Sequence, residues 1–100
     1  MALSGRVGSV QMDLLRHEVT RDGRPLELSL KEFGVLEALL RSEPGFLSAE
    51  ALLERLWDEH ADPFTSTVLV TISRLRRKLG PPQVIENLPG VGYRITAPEP

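Results

Sequence analysis

Residues Thr65 to Leu79 leave this chain few ways to fold. Wound into a helix, Val68, Ile72, Leu75 and Leu79 fall at i, i+4, i+7 and i+11. That is one narrow apolar stripe, which has to be buried against other elements. Away from it lie Ser66, Thr67, Val70, Thr71, Ser73, Arg74, Arg77 and Lys78. The segment holds four Arg/Lys and no Asp or Glu. A helix anchored on one side, with hydroxyls, a small apolar side chain and arginines on the other, suits a DNA major groove. A solvated basic face fits the same residues, so the remaining chain has to decide.

One hundred residues allow one domain with a modest core, and with 41% apolar but only 5% aromatic residues, aliphatic side chains must fill it. The absence of cysteine excludes disulfides, cysteine-based zinc fingers and thiol chemistry. Met1 to Arg6 lack the apolar run of a signal peptide. No segment reaches the ~20 apolar residues of a membrane span. The reading is a soluble, cytoplasmic protein. A net charge of −2 hides a strong polarisation. Residues 1–64 hold seven Arg/Lys against twelve Asp/Glu, whereas residues 65–100 hold five against two. A field of that shape orients a protein on a polyanion even when the total charge is negative.

Residues 1–8 are small and polar and are expected to form a loose terminus or linker remnant. Val10, Met12 and Leu14 alternate with polar residues, as in a half-buried strand. Asp22-Gly23 between two short extended runs signals a hairpin, and Pro25 suits an edge strand or strand start. Ser29 and Glu32 form a capping box, followed by the helical stripe Phe33, Leu36, Leu39 and Leu40, which Pro44-Gly45 stops. Phe46-Leu47 is a short bridge to a second helix that Ser48 caps, with Leu52, Leu53, Leu56 and Trp57 as its apolar side. Residues 58–64 read as a loop. After Leu79, Gly80-Pro81-Pro82 ends the basic helix. Val84 to Asn87 and Tyr93 to Thr96 are two strands joined through Leu88-Pro89-Gly90-Val91-Gly92. The fold class is therefore α+β, a winged helix-turn-helix over residues 9–97: an N-terminal antiparallel sheet, three helices and a C-terminal β-hairpin wing. Residues 98–100 are an unstructured tail.

In this order the chain resembles the C-terminal DNA-binding domain of OmpR/PhoB-type response regulators over nearly its full length. The resemblance is carried by Arg21-Asp22-Gly23, by Leu28-Ser29-Leu30-Lys31-Glu32-Phe33 and by Leu52-Leu53-Glu54-Arg55-Leu56-Trp57. It is carried most specifically by Ile72 to Leu79 and by Gly90-Val91-Gly92-Tyr93-Arg94. It implies sequence-specific binding of double-stranded DNA in a two-component system, with helix 66–79 in the major groove and hairpin 84–96 as wing. Arg74 would read a guanine edge and Val70 would lie on a thymine methyl. Ser66, Thr67, Thr71, Ser73, Arg76 and Arg77 would position the helix on phosphates. Trp57, Asn87, Tyr93 and Arg94 would approach the backbone from the second helix and the wing. The 58–64 loop would face RNA polymerase. A receiver domain and a second copy of the chain are the other implied partners.

Three positions depart from the family pattern. Leu69 stands where many members carry Asp and, beside Arg76 at the border of core and surface, is read as packing, with an exposed apolar patch as the alternative; Thr71 stands where many carry His; and Pro89 stands where the wing usually carries an arginine for the minor groove. No enzymatic constellation is present: there is no nucleophile–base pair and no paired carboxylates. His17 and His60 are far apart, and Asp58, Glu59 and Asp62 lack the spacing of a calcium loop, so no metal or cofactor is expected. Two rival readings remain, a winged helix kept for protein contacts and the same DNA-binding domain in another regulator class.

Overall fold

The computed structural model describes residues 4–57 and 64–97. Strands β1 (Ser4–Val7), β2 (Val10–Asp13), β3 (Glu18–Arg21) and β4 (Arg24–Leu26) form an antiparallel sheet in chain order. Helices α1 (Leu30–Ser42), α2 (Ala49–Leu56) and α3 (Ser66–Leu79) follow. Strands β5 (Ile85–Leu88) and β6 (Gly92–Ile95) make a separate hairpin. This is the α+β winged-helix plan read from the sequence.

Local chemistry accounts for most boundaries. Ser29 and Glu32 form the expected capping box: the Glu32 amide donates to Ser29 Oγ at 3.1 Å, and the Ser29 amide to Glu32 Oε1 at 2.9 Å. The Ala51 amide donates to Ser48 Oγ at 3.0 Å at the start of α2. Asp22 and Gly23 both take positive φ, as the tight β3–β4 turn requires, and Pro25 lies in the edge strand. The loop read over 58–64 lies outside the described residues except for Phe64.

Strand β1 corrects the loose terminus expected over residues 1–8. Val7 pairs with Val10 and is buried, and Gly5 pairs with Met12. A Cβ at Gly5 would lie 2.9 Å from Leu40 Cδ2, so the end of the Leu40 side chain would have to shift. One buried valine and one glycine leave almost no period-two signal to read.

The core joins Val10, Met12 and Val19 of the sheet to Val35, Leu36 and Leu39 of α1 and Leu52 of α2. The α3 stripe, Val68, Ile72, Leu75 and Leu79, is buried in full, with Val84, Ile85 and Ile95 closing the core from the wing.

Two charged contacts fix the C-terminal half of α3. Arg21 of β3 is only 2% exposed. Its Nη1 donates to Leu79 O at 3.0 Å and Gly80 O at 2.6 Å, its Nη2 to Pro82 O at 2.5 Å, and its Nε to Ser9 Oγ at 3.2 Å. A cation is well placed against the negative end of a helix dipole. Lys78 Nζ donates to Glu32 Oε1 at 2.6 Å, tying α3 to the capping box of α1. Burial by itself pushes the Glu32 carboxyl up, but the hydrogen bonds from Lys78 and Ser29 and the Lys78 charge outweigh it and hold the pKa below the ordinary 4.5.

Arg21→Met should leave the carbonyls of Leu79, Gly80 and Pro82 without their donors, at a cost of about 3 kcal/mol. Thermal melts should show a fall on the order of 15 °C. Because the folded pKa of Glu32 is depressed, its contribution is present above pH 4.5 and disappears as pH falls through the folded value. Glu32→Gln should therefore cost about 1–2 kcal/mol at pH 7. In urea melts across pH the gap to the parent should narrow below about 4.5. A gap that stayed constant down to pH 3 would contradict this account of Glu32.

Candidate nucleic-acid interface

The exposed face of α3 follows from its buried one. Away from Val68, Ile72, Leu75 and Leu79 stand Ser66, Val70, Ser73, Arg74 and Arg77, with Leu69 at the edge of that face, all exposed. Thr67, Thr71 and Arg76 are half-buried on the flanks. The Thr65 side chain makes no cap hydrogen bond, and no acid lies in the first turn of the helix itself. Arg74 and Arg77 make no hydrogen bond or ion pair among the described residues. Lys78 is held by Glu32, so part of the helix's charge is already engaged.

Several expected site residues are committed elsewhere. The Thr71 hydroxyl donates to Thr67 O at 2.9 Å, which uses its proton within the helix. Arg76 turns toward the wing. Its Nη2 donates to Ile85 O at 2.9 Å, and its guanidinium lies 5.8 Å from the centroid of the Tyr93 ring. Its Nε is buried with no hydrogen-bond partner among the described residues. Tyr93 itself is 9% exposed and belongs to the core cluster. Arg94 pairs with Glu86, its cross-strand partner, at 2.9 Å, and lies 4.7 Å from the centroid of Phe46. Asn87 is exposed on β5. Trp57 sits half-buried at the C-cap of α2. Its ring lies 5.2 Å from Lys31 Nζ, which also donates to Leu56 O.

Three features escaped the sequence reading. Leu69 does not pack: it is 46% exposed, beside Val70 at 47%. On the helical wheel it lies beside Arg76 at the border of core and surface, about 100° from Val68, so spacing alone leaves packing and exposure both open. Phe46-Leu47 is more than a bridge, because Leu47 and Tyr93 exchange two backbone hydrogen bonds of 2.8 Å and add an isolated strand pairing to the wing. Gly92 is required there: its φ is +148°, and a Cβ would fall 2.3 Å from Leu47 O. The sequence reading explained Gly90 and Gly92 by the turn alone. That account fits Gly90, with φ +80° and open space around it, but leaves out the contact at Gly92.

The surface thus built is a convex helix face beside a hairpin fixed to it. Among the described residues no group of three or more His, Asp or Glu side chains is placed to hold a metal.

Comparison with known proteins agrees with this architecture. The family model described as "Transcriptional regulatory protein, C terminal" matches residues 23–95. The transcriptional regulatory protein CutR of Streptomyces coelicolor is 57% identical over 86 residues, which cover 86% of this chain and 40% of CutR. CusR of Escherichia coli is 33% identical over 94% of this chain and 43% of its own length. The chain thus spans about two-fifths of the curated relatives it matches. Among solved structures, the DNA-binding domain of CpxR from E. coli superposes with a TM-score of 0.81 at 28% identity, over 96% of this chain and 98% of that one. The Klebsiella pneumoniae RstA DNA-binding domain, in complex with the RstA box, gives a TM-score of 0.80 at 27% identity, over 95% and 98%.

Gly92→Ala should force the backbone of β6 away from Leu47 and lower stability by about 3 kcal/mol, whereas Gly90→Ala, with strain but no clash, should cost about 1 kcal/mol. Chemical melts of the two variants side by side test the difference. Equal losses would remove the close approach as the reason for Gly92.

Proposed function

The chain belongs to the C-terminal domain family of OmpR/PhoB-type transcriptional regulatory proteins, and we propose that it binds double-stranded DNA sequence-specifically through α3. One observation carries the reading. The exposed stripe of α3 holds two arginines without internal partners on a helix free of acids, opposite a fully buried stripe. Such a helix enters the major groove with its axis fixed by the protein core.

In this reading Arg74 takes a guanine edge by two parallel hydrogen bonds, and Val70 lies on a thymine methyl. Ser66, Ser73 and Arg77 contact phosphates from the exposed face. Thr67 and Thr71 border it, with Thr71 able to accept but not to donate while it bonds Thr67 O. Arg76 and Tyr93 act together in holding the wing, and Arg94 works through its pair with Glu86. Trp57 and Asn87 flank the groove from α2 and β5. Residues 9–97, with β1 added in front, are the DNA-binding unit. The solved RstA domain, which is bound to its own box, supports the DNA target. The longer relatives support a receiver domain as the remaining partner, so the effector role in a two-component system is part of the proposal. A second copy of the chain on the DNA belongs to it as well. RNA polymerase is a proposed contact of residues 58–64, and the cytoplasm, where the DNA lies, is the proposed location. No helix among the described residues is long and apolar enough to cross a membrane.

The wing tip favours a second reading, protein contact, at that surface alone. From Asn87 to Gly92 it carries no charge, and Leu88 and Val91 are exposed.

Anisotropy titrations of duplexes selected from random sequence test the DNA reading across a salt series. Arg74→Ala should lower affinity for the selected site by about 10-fold to 100-fold, and bring it close to that for random duplex. Arg77→Ala should weaken all duplexes alike and reduce the salt slope by about one. Absence of any sequence preference at low salt would overturn direct readout and leave the protein-contact reading.

A further inference from the structure

The exposed stripe of α3 has an apolar middle. Ser66, Leu69, Val70, Ser73, Arg74 and Arg77 fall at i, i+3, i+4, i+7, i+8 and i+11, so they are neighbours along one side of the helix. Leu69 and Val70, nearly equally exposed, are consecutive in sequence and point about 100° apart, with Ser66 and Ser73 on the arc between them. A single exposed aliphatic needs no explanation. Two adjacent ones, framed by hydroxyls and followed by arginines without internal partners, form a contact surface of mixed chemistry.

That mixture restricts the occupant. An apolar protein surface would cover Leu69 and Val70 but would leave Arg74 and Arg77 facing the same contact without countercharge. A polyanion whose groove wall carries methyl groups satisfies both halves. Among the bases of DNA only thymine places a C5 methyl in the major groove. Val70 is already read as one such contact. Leu69 lies one residue away on the same helix, an axial rise of about 1.5 Å with a rotation of about 100°, so the two side chains address neighbouring base pairs.

We infer that Leu69 is a base-reading residue: with Val70 it seats two neighbouring thymine methyl groups, and the target half-site carries those thymines next to the guanine read by Arg74. The inference rests on the major-groove reading of α3 and adds to it the base composition of the site and the side chain that imposes it.

The test uses the whole 100-residue chain and the duplex it selects from random sequence. Deoxyuridine, which lacks only the methyl group, replaces each thymine of that site in turn. Two positions should each lose about fourfold in affinity, the value of burying one methyl-sized group. Leu69→Ala should abolish the loss at one of them and leave it at the other, and Val70→Ala should do the reverse. Leu69→Met, which keeps an apolar side chain of similar reach, should retain both. Because Leu69 is exposed, melting curves of its variants should overlay the parent. The inference fails if deoxyuridine costs nothing anywhere while Arg74→Ala still removes sequence preference. It also fails if Leu69→Ala weakens every duplex alike. Absence of both a sequence preference and an Arg74→Ala effect would instead overturn the major-groove reading beneath it.

Discussion

The C-terminus of α3 is where this small structure has the hardest polar problem to solve. A helix ends with carbonyls that lack partners in their own turn, and here the chain continues as Gly80-Pro81-Pro82, whose prolines have no amide to offer. The missing donors come from one side chain far back in the sequence, Arg21, whose guanidinium bonds Leu79 O, Gly80 O and Pro82 O. The contact solves two problems together: it satisfies buried carbonyls, and it places the cation against the negative end of the helix. It also explains why the N-terminal sheet exists in a domain whose binding helix lies elsewhere. The sheet is the platform that brings Arg21 to that position, and β1 and Ser9 complete its enclosure. With Lys78 held by Glu32, the last turns of α3 are anchored at two points.

The wing depends on the same economy of fixed contacts. Backbone hydrogen bonds join Leu47 to Tyr93 across the gap that Gly92 keeps open, and Arg76 bonds Ile85 O from the helix side. The hairpin is thereby linked through main-chain atoms to the segment before α2 and through the Arg76 side chain to α3. A binding surface already held in one shape loses less entropy on association. Arg76 illustrates the cost of that arrangement. Its guanidinium bonds Ile85 O and faces the Tyr93 ring, so one of the four cations of α3 helps to build the surface.

Elements with strong period or chemistry were legible from the residues: both capped helices, the α3 stripe, the Asp22-Gly23 turn and the order that defines a winged helix. What stayed hidden was long-range and singular. Arg21 looked like an ordinary strand residue, because nothing local announces an acceptor 58 residues away. Gly92 read as a turn glycine, because its true constraint is the backbone of Leu47, which only the folded chain brings near. Strand β1 lacked a period because glycine replaces a core side chain there. Leu69 is a different case. Its place on the wheel, beside Arg76 at the border of core and surface, leaves packing and an exposed apolar patch both open, and only the folded chain decides for the surface.

Charge bookkeeping along α3 then bears on how such a surface distinguishes sites. With Arg76 turned inward and Lys78 shared with Glu32, Arg74 and Arg77 are its only cations without an internal partner among the described residues. Two cations neutralising at most two phosphates correspond to a salt slope of only about −2, a small sequence-independent attraction. The acidic balance of residues 1–64 lowers it further by repelling DNA from the rest of the molecule. Weak general attraction is an advantage against the large excess of competing sites in a genome, since discrimination is the ratio of specific to non-specific affinity. On the proposed reading that ratio comes from contacts that do not act through net charge: the bidentate geometry of Arg74, and the apolar fit of Leu69 and Val70. The proposed second copy bound alongside would then add affinity, since the effective concentration of the neighbour replaces the missing phosphate contacts.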